Sequence, residues 1–341
     1  MIALLFPGQG SQFVGMGRDL YHRFPVARRV LEEADSILGL PLTRLMFEGP
    51  DETLRETRNA QPAILAHSSA VWEMLRPVLR ERRWIAAGHS LGEYSAYVAA
   101  ESFSLPDAVR IVRRRGELMY AAGLASPGAM AAVLGCDLDV IREVCAQTPG
   151  LVVPANINSP GQVVISGEQA AVEAASAALR ARDARKVVEL SVSGAFHSPL
   201  MAPAARGLRE VLDSVPVADA RCPVYANVSA EPVLETDRIR ESLVQQLLSP
   251  VLWDATMRRM VSLGVTEFYE IGPGQVLKGL LRSIDRNIPC RTLGTVEEVQ
   301  GFLEEQWAGR EEDSRTVGGA DAESAAQPGG QEHGELRREG S

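Results

Sequence analysis

Residues 84–100 read WIAAGHSLGEYSAYVAA: an apolar run of strand length, a serine between glycines at Gly88-His89-Ser90-Leu91-Gly92, then a helix-like run. A strand turning directly into a helix is the building step of an α/β domain, and in that context G-x-S-x-G acquires chemical meaning. A tight strand-to-helix turn strains the serine and brings the residues two before and two after it close together. Glycine at both places removes the clash. The turn also puts Oγ at the positive end of the helix dipole, where an oxyanion is stabilised. The alternative is a serine capping an ordinary helix beside chance glycines; both flanks favour the nucleophile elbow.

Outward from this segment the α/β rhythm continues. IALLF (2–6) reads as a first strand and TRNAQPAILAHSSAVWEMLRPVL (57–79) as a helix. LPDAVRIVRRRGELMYAAG (105–123) reads as another, with Pro106 in its first turn. From Gly128 the order becomes strand (129–135), helix (137–147), two strands across the turn NSPG (151–157 and 162–167), helix (168–183) and strand (186–192). That βαββαβ order is the ferredoxin-like unit. The expected architecture is therefore an α/β-hydrolase-like larger domain with a parallel sheet, 1–124 and 194–307, carrying an inserted ferredoxin-like subdomain at 125–193. Beyond it, 308–341 offers only Val317 and Leu336 as large aliphatics and reads as a disordered tail.

Composition narrows the class. The 341 residues are 45% apolar and 23% charged, the balance of a globular domain with a sizeable core. A net charge of −9 disfavours a general nucleic-acid binder. Lysine occurs only at 186 and 278, so nearly all positive charge is arginine. The cysteines at 136, 145, 222 and 290 have neither CxxC nor metal-ligand spacing and read as reduced core residues, with no metal expected. No run approaches the ~18 apolar residues of a membrane span, and MIALLFPGQG lacks a basic leader region. A cytoplasmic protein is expected.

A serine nucleophile needs a base. Of five histidines, His333 lies in the tail, His22 and His67 fall within helices, and His89 is the serine's neighbour on a tight turn. His197, in SVSGAFHSPLM after a strand, remains as candidate base; a structural histidine is the alternative. FPGQGSQ (6–12) fails the dinucleotide fingerprint because Phe13 stands where the third glycine belongs. It can instead expose a backbone N–H as half of an oxyanion hole, or be a plain turn. Arg115 falls inside the apolar stripe of its helix (Ala108, Ile111, Val112, Leu118, Met119, Ala122). A buried arginine must meet an anion or carbonyls, either an internal Asp or Glu or a substrate carboxylate held bidentately. Arg113 and Arg114 point off the stripe, toward solvent or a docking surface. GPG (272–274) is expected to shape the site floor.

Together, FPGQGSQFVGMG, QPAIL, GHSLGEYSA, RRRGELM, NINSPGQVVISG, GAFHSPLM, QQLLSPVLW and EIGPGQVLKGL, in order over about residues 1–300, resemble the malonyl-CoA:acyl-carrier-protein transacylases shared by fatty-acid synthesis and polyketide-synthase acyltransferases. The resemblance implies ping-pong transfer without a cofactor. Ser90 attacks the malonyl-CoA thioester, His197 takes its proton, and the N–H groups of Gln9 and Leu91 form the oxyanion hole. Arg115 holds the malonyl carboxylate and Gln246 helps orient the histidine. The phosphopantetheine thiol of an acyl carrier protein is the acceptor. GAFH resembles the malonyl-selective type, with Phe196 crowding an α-methyl group, a preference of ~1–3 kcal/mol. An acidic carrier would dock on an arginine-rich patch, and a monomer is the family-like default. Two other readings stand beside this one. An acyl hydrolase with the same dyad has no use for Arg115; a non-catalytic scaffold has none for intact Ser90 and His197.

Overall fold

The computed structural model describes residues 1–308, so all but the first residue of the expected tail lies outside it. Among the described residues ten strands form two sheets: β1 (Ile2–Phe6), β2 (Trp84–Gly88), β3 (Gly128–Leu134), β4 (Val152–Ser159), β5 (Gln162–Glu168), β6 (Lys186–Glu189), β7 (Val224–Tyr225), β8 (Pro232–Val233), β9 (Glu267–Ile271) and β10 (Cys290–Leu293). Both belong to one compact unit, Met1–Val299.

The larger sheet has the order β10-β9-β1-β2-β7-β8. All neighbours are parallel except β7 and β8, an antiparallel edge pair of two-residue strands. Every residue of β1 and β2 is buried, which is why both read as unbroken apolar runs instead of alternating ones. The chain steps from β1 to β2 on one side and later lays β9 and β10 on the other, so the strand order switches direction at β1. Such a switch opens a crevice beyond the carboxyl ends of the strands. Phe6 pairs with Gly88 at that end, so the FPGQG turn and the GHSLG turn emerge side by side.

Two long helices carry further site residues to this crevice. Thr57–Leu79 is buried along most of its length. Leu105–Ala125 starts at Ser104, whose Oγ accepts from the Asp107 N–H at 3.2 Å, with Pro106 in its first turn. They cross closely at Gly116, where a Cβ would lie 2.7 Å from Arg58 Cα and Thr57 O. That approach puts Arg115 beside Gln61 one turn along the partner helix.

The smaller sheet is antiparallel, in the order β4-β5-β3-β6. Its two faces follow the period-two alternation of strands. Ala129, Ala131, Val133, Val163 and Ile165 pack under the helices Leu138–Gln147 and Gln169–Ala181. The intervening Met130, Ala132 and Val164 face the opposite way, into a cavity above the crevice of the larger sheet. A parallel bridge between Asn156 and Val251 ties β4 to the larger layer.

Candidate active site

The elbow is built as its glycines require. Ser90 has φ +50°, a conformation that is strained for a side-chain-bearing residue. A Cβ on Gly88 would sit 1.9 Å from Gly92 C and O, and one on Gly92 would sit 2.0 Å from Phe6 O. The FPGQG turn interlocks with it, since a Cβ on Gly8 would fall 2.2 Å from His89 O. Gln9 and Leu91 line the same cavity. Among the described residues neither of their amide N–H groups donates to a protein acceptor, so both are free to meet an oxyanion.

His197, also at positive φ (+56°), lies 2.8 Å through Nε2 from Ser90 Oγ. Its Nδ1 lies 2.8 Å from the main-chain O of Gln246. A carbonyl only accepts, so Nδ1 carries the proton and the Nε2 lone pair faces the serine. Burial, reinforced by the Arg115 charge and opposed by the Gln246 carbonyl, pushes the imidazole down to about 3. It is therefore neutral at ordinary pH, with its Nε2 lone pair unoccupied by a proton.

Arg115 is buried, 1% exposed, on the apolar face of its helix. Nη1 donates to Gln61 Oε1 at 2.7 Å; Nη2 donates to Gln246 Oε1 at 2.8 Å and Ser90 Oγ at 3.2 Å. The guanidinium lies over the Tyr94 ring, 5.4 Å from its centroid. Nε–H has no partner, and no carboxylate is within ion-pair reach among the described residues. The alternative of an internal salt bridge is thus not realised. A charge sealed from water with only neutral partners is costly, and it is complementary to an incoming anion.

Gln246 acts twice: its main chain holds His197, and its side-chain Nε2 donates to Ser90 O at 3.0 Å and Glu93 Oε2 at 2.7 Å. Gln61 continues the network, since Thr57 Oγ1 accepts from its Nε2 at 2.8 Å and donates to Gln9 Oε1 at 2.9 Å.

The cavity holds about 420 Å³, within the range of small-molecule sites. Met119, Met130, Ala132, Val164, Phe196 and Leu280 supply apolar walls, and Asn156, Asn158 and Gln162 supply amides. Among the described residues no group of three or more His, Cys, Asp or Glu could hold a metal, and no helix is long and apolar enough to cross a membrane.

His89 lines the cavity but turns from Ser90: its Nε2 lies 2.8 Å from Asn158 Oδ1 and its ring 5.4 Å from that of Trp253. Other expectations require correction. Arg113 is not a free surface charge, because it pairs with Glu117 at 2.8 Å and donates to Arg58 O and Asn59 Oδ1. Leu118 is only half-buried. GPG packs behind the FPGQG turn, where a Cβ on Gly272 would lie 2.7 Å from Pro7 Cγ; the cavity wall comes from the helix after it, Val276–Ile284.

Sequence reasoning also missed Asn227, Glu93 and Gln61. Asn227 Oδ1 accepts from the Ser90 N–H and its Nδ2 donates to Gly88 O, both at 2.7 Å. It follows a two-residue strand too short to register as a pattern. Glu93 did carry a signal: an acid opening an otherwise apolar helix, Gly92–Ala99.

An α/β fold with a strained serine on an elbow, a neutral imidazole against it and free amides beside it is the arrangement a serine nucleophile requires. Residues 3–312 match the family model described as acyl transferase domain, and the chain belongs to that family. It is 47% identical over 302 residues, 88% of this chain and 95% of the relative, to the malonyl CoA-acyl carrier protein transacylase of Bacillus subtilis (strain 168). The crystal structure of an acyl-carrier-protein-S-malonyltransferase from Bartonella henselae is 42% identical with a TM-score of 0.86, covering 89% of this chain and 99% of that one. A malonyl-transacylase solved in complex with its type II PKS acyl-carrier protein is 39% identical with a TM-score of 0.85, at the same coverage.

Proposed function

We propose that the chain transfers the malonyl group of malonyl-CoA to the phosphopantetheine thiol of an acyl carrier protein through a malonyl-Ser90 intermediate. His197 Nε2 takes the Ser90 proton as Oγ bonds to the thioester carbon. The carbonyl oxygen, now negative, is met by the Gln9 and Leu91 N–H groups. The tetrahedral adduct expels the CoA sulfur, which takes the proton back from His197. In the second half the carrier's thiol loses its proton to His197, attacks the ester carbon and releases Ser90 with that proton returned. Arg115 holds the malonyl carboxylate in both halves, and the Gln246 carbonyl keeps the imidazole in the right tautomer. The steps use side chains, amides and the two thiols alone.

The observation that carries this reading is the buried Arg115 guanidinium, 3.2 Å from Ser90 Oγ, with no carboxylate within ion-pair reach among the described residues. It selects an acyl group that carries its own carboxylate and disfavours hydrolysis of simple acyl chains. The relatives' names support the same substrate and partner, for fatty-acid or polyketide synthesis. Phe196 lines the cavity, which supports a malonyl over a methylmalonyl preference. We read the larger sheet (1–124, 194–307) as α/β-hydrolase-like and 125–193 as an inserted ferredoxin-like subdomain, supported by the strand order β4-β5-β3-β6 with two helices on one face. The chain is read as a cytoplasmic monomer.

The test is incubation with malonyl-CoA labelled in the malonyl group. Label should appear on Ser90 and move to added phosphopantetheinylated carrier protein. Ser90→Ala should take none. Wild-type protein that stays unlabelled would sink the proposal, and rapid release as free malonate would favour a hydrolase.

A further inference from the structure

Glu93 has no part in the steps above, yet it stands behind all of them. Its side chain is fully buried on the helix Gly92–Ala99. A sealed carboxyl group is costly unless its oxygens are hydrogen-bonded, and only one of them is. Oε2 accepts from Gln246 Nε2 at 2.7 Å and from the Asn227 N–H at 3.0 Å, while Oε1 has no partner.

The two donors on that oxygen lead to different halves of the site. Asn227 spans the elbow, accepting from the Ser90 N–H and donating to Gly88 O. Gln246 holds His197 through its main-chain carbonyl and meets Arg115 through Oε1. A side-chain amide in this place has two orientations related by a flip. With a guanidinium on one side and a carboxyl oxygen on the other, only one satisfies both neighbours: C=O toward Arg115, NH₂ toward Glu93 and Ser90 O.

We propose that Glu93 is a positioning residue for acyl transfer, a single buried oxygen that fixes the Gln246 amide and anchors Asn227, keeping nucleophile, base and carboxylate clamp in register. This inference rests on the function proposed above. What it requires of position 93 is an acceptor at one point, whichever group supplies it. A glutamine can place its own Oε1 at that point. An aspartate keeps the charge but is one methylene short of meeting both donors, and a methionine fills the space without accepting.

The experiment compares wild type, Glu93→Gln, Glu93→Asp and Glu93→Met, each checked for folding by circular dichroism. Malonyl transfer from malonyl-CoA to free pantetheine is measured as kcat and KM, beside acetyl transfer from acetyl-CoA. Glu93→Gln should stay within about threefold of wild type, whereas Glu93→Asp and Glu93→Met should lose about 30- to 100-fold, mostly in kcat, the scale of a catalytic group misplaced by about an ångström. The malonyl-to-acetyl ratio should fall in the two weak variants, because Arg115 loses its fixed neighbour. Glu93→Met within threefold of wild type would overturn the inference, as would Glu93→Gln falling as far as Glu93→Met. If Glu93→Met does not fold, the order of the other two decides: Glu93→Asp more active than Glu93→Gln overturns it. An unlabelled wild-type Ser90 overturns the function and this inference together. A labelled wild type with a flat Glu93 series overturns this inference alone.

Discussion

Replacing Arg115 by alanine separates two contributions of one guanidinium. The first is indifferent to the acyl group. Nη1 and Nη2 donate to Gln61 and Gln246 at 2.7 and 2.8 Å, and a hydrogen bond from a charged donor contributes about 1.5–3 kcal/mol. Losing these slackens Gln246, and turnover falls for every acyl group alike. The second exists only when the acyl group ends in a carboxylate. At about 4 Å and an effective dielectric of about 20, opposite unit charges attract by roughly 4 kcal/mol. No protein carboxylate pairs with Arg115 among the described residues, so no existing ion pair is broken to gain this attraction. Discounting for water stripped from the incoming carboxylate leaves about 2–3 kcal/mol, or roughly 30- to 150-fold. The assay is kcat/KM for malonyl-CoA and for acetyl-CoA, on wild type and on Arg115→Ala, with melting curves to confirm folding. The malonyl value should fall that much further than the acetyl value. Equal losses would refute the clamp and leave Arg115 a structural residue.

Phe196→Ala should raise the ratio of methylmalonyl to malonyl transfer by about 10- to 100-fold, the range of one methyl group in an apolar pocket; an unchanged ratio would remove Phe196 from acyl selection. Gly88→Ala forces a Cβ to 1.9 Å from Gly92 and should destabilise the fold by more than about 3 kcal/mol, the upper end of overpacking costs, read by denaturant unfolding; near wild-type stability would contradict the elbow packing. Burial pushes His67 down to about 4 from an ordinary value of 6.5, with the Asp19 charge opposing. The folded state therefore prefers the neutral ring, a contribution present above pH 6.5 and lost as pH falls toward 4. His67→Met should reduce the dependence of unfolding free energy on pH in that window by up to about one proton. His197, pushed down to about 3, supplies a similar slope that remains; no change in the variant would show that His67 does not titrate on unfolding.

What could be read from sequence followed from how locally each feature is encoded. The elbow lies within five residues, and the clash its glycines avoid is between near neighbours in the chain. Arg115 was visible because helical periodicity assigns it a face without reference to any partner. His197 emerged by elimination among five histidines. Asn227 and Gln61 were invisible because their partners lie far away in sequence, 137 residues for Asn227 and Ser90, 54 for Gln61 and Arg115, and no pattern in either segment marks the pairing. The edge strands β7 and β8 were missed for a related reason: at two residues each they are too short to display alternation.

The imidazole is oriented by a main-chain carbonyl, at residue 246, where many serine enzymes use an acidic side chain. A side chain can be deleted by one codon change; a carbonyl cannot. Any amino acid at 246 would still present that oxygen, provided the end of the helix Thr236–Gln246 keeps its path. The orientation of the base is thus inherited from the course of the backbone, and drift at this position reaches catalysis only through the side chain's other duties toward Arg115, Glu93 and Ser90. Selection or design can vary the acyl group accepted here without endangering the tautomer on which the chemistry depends.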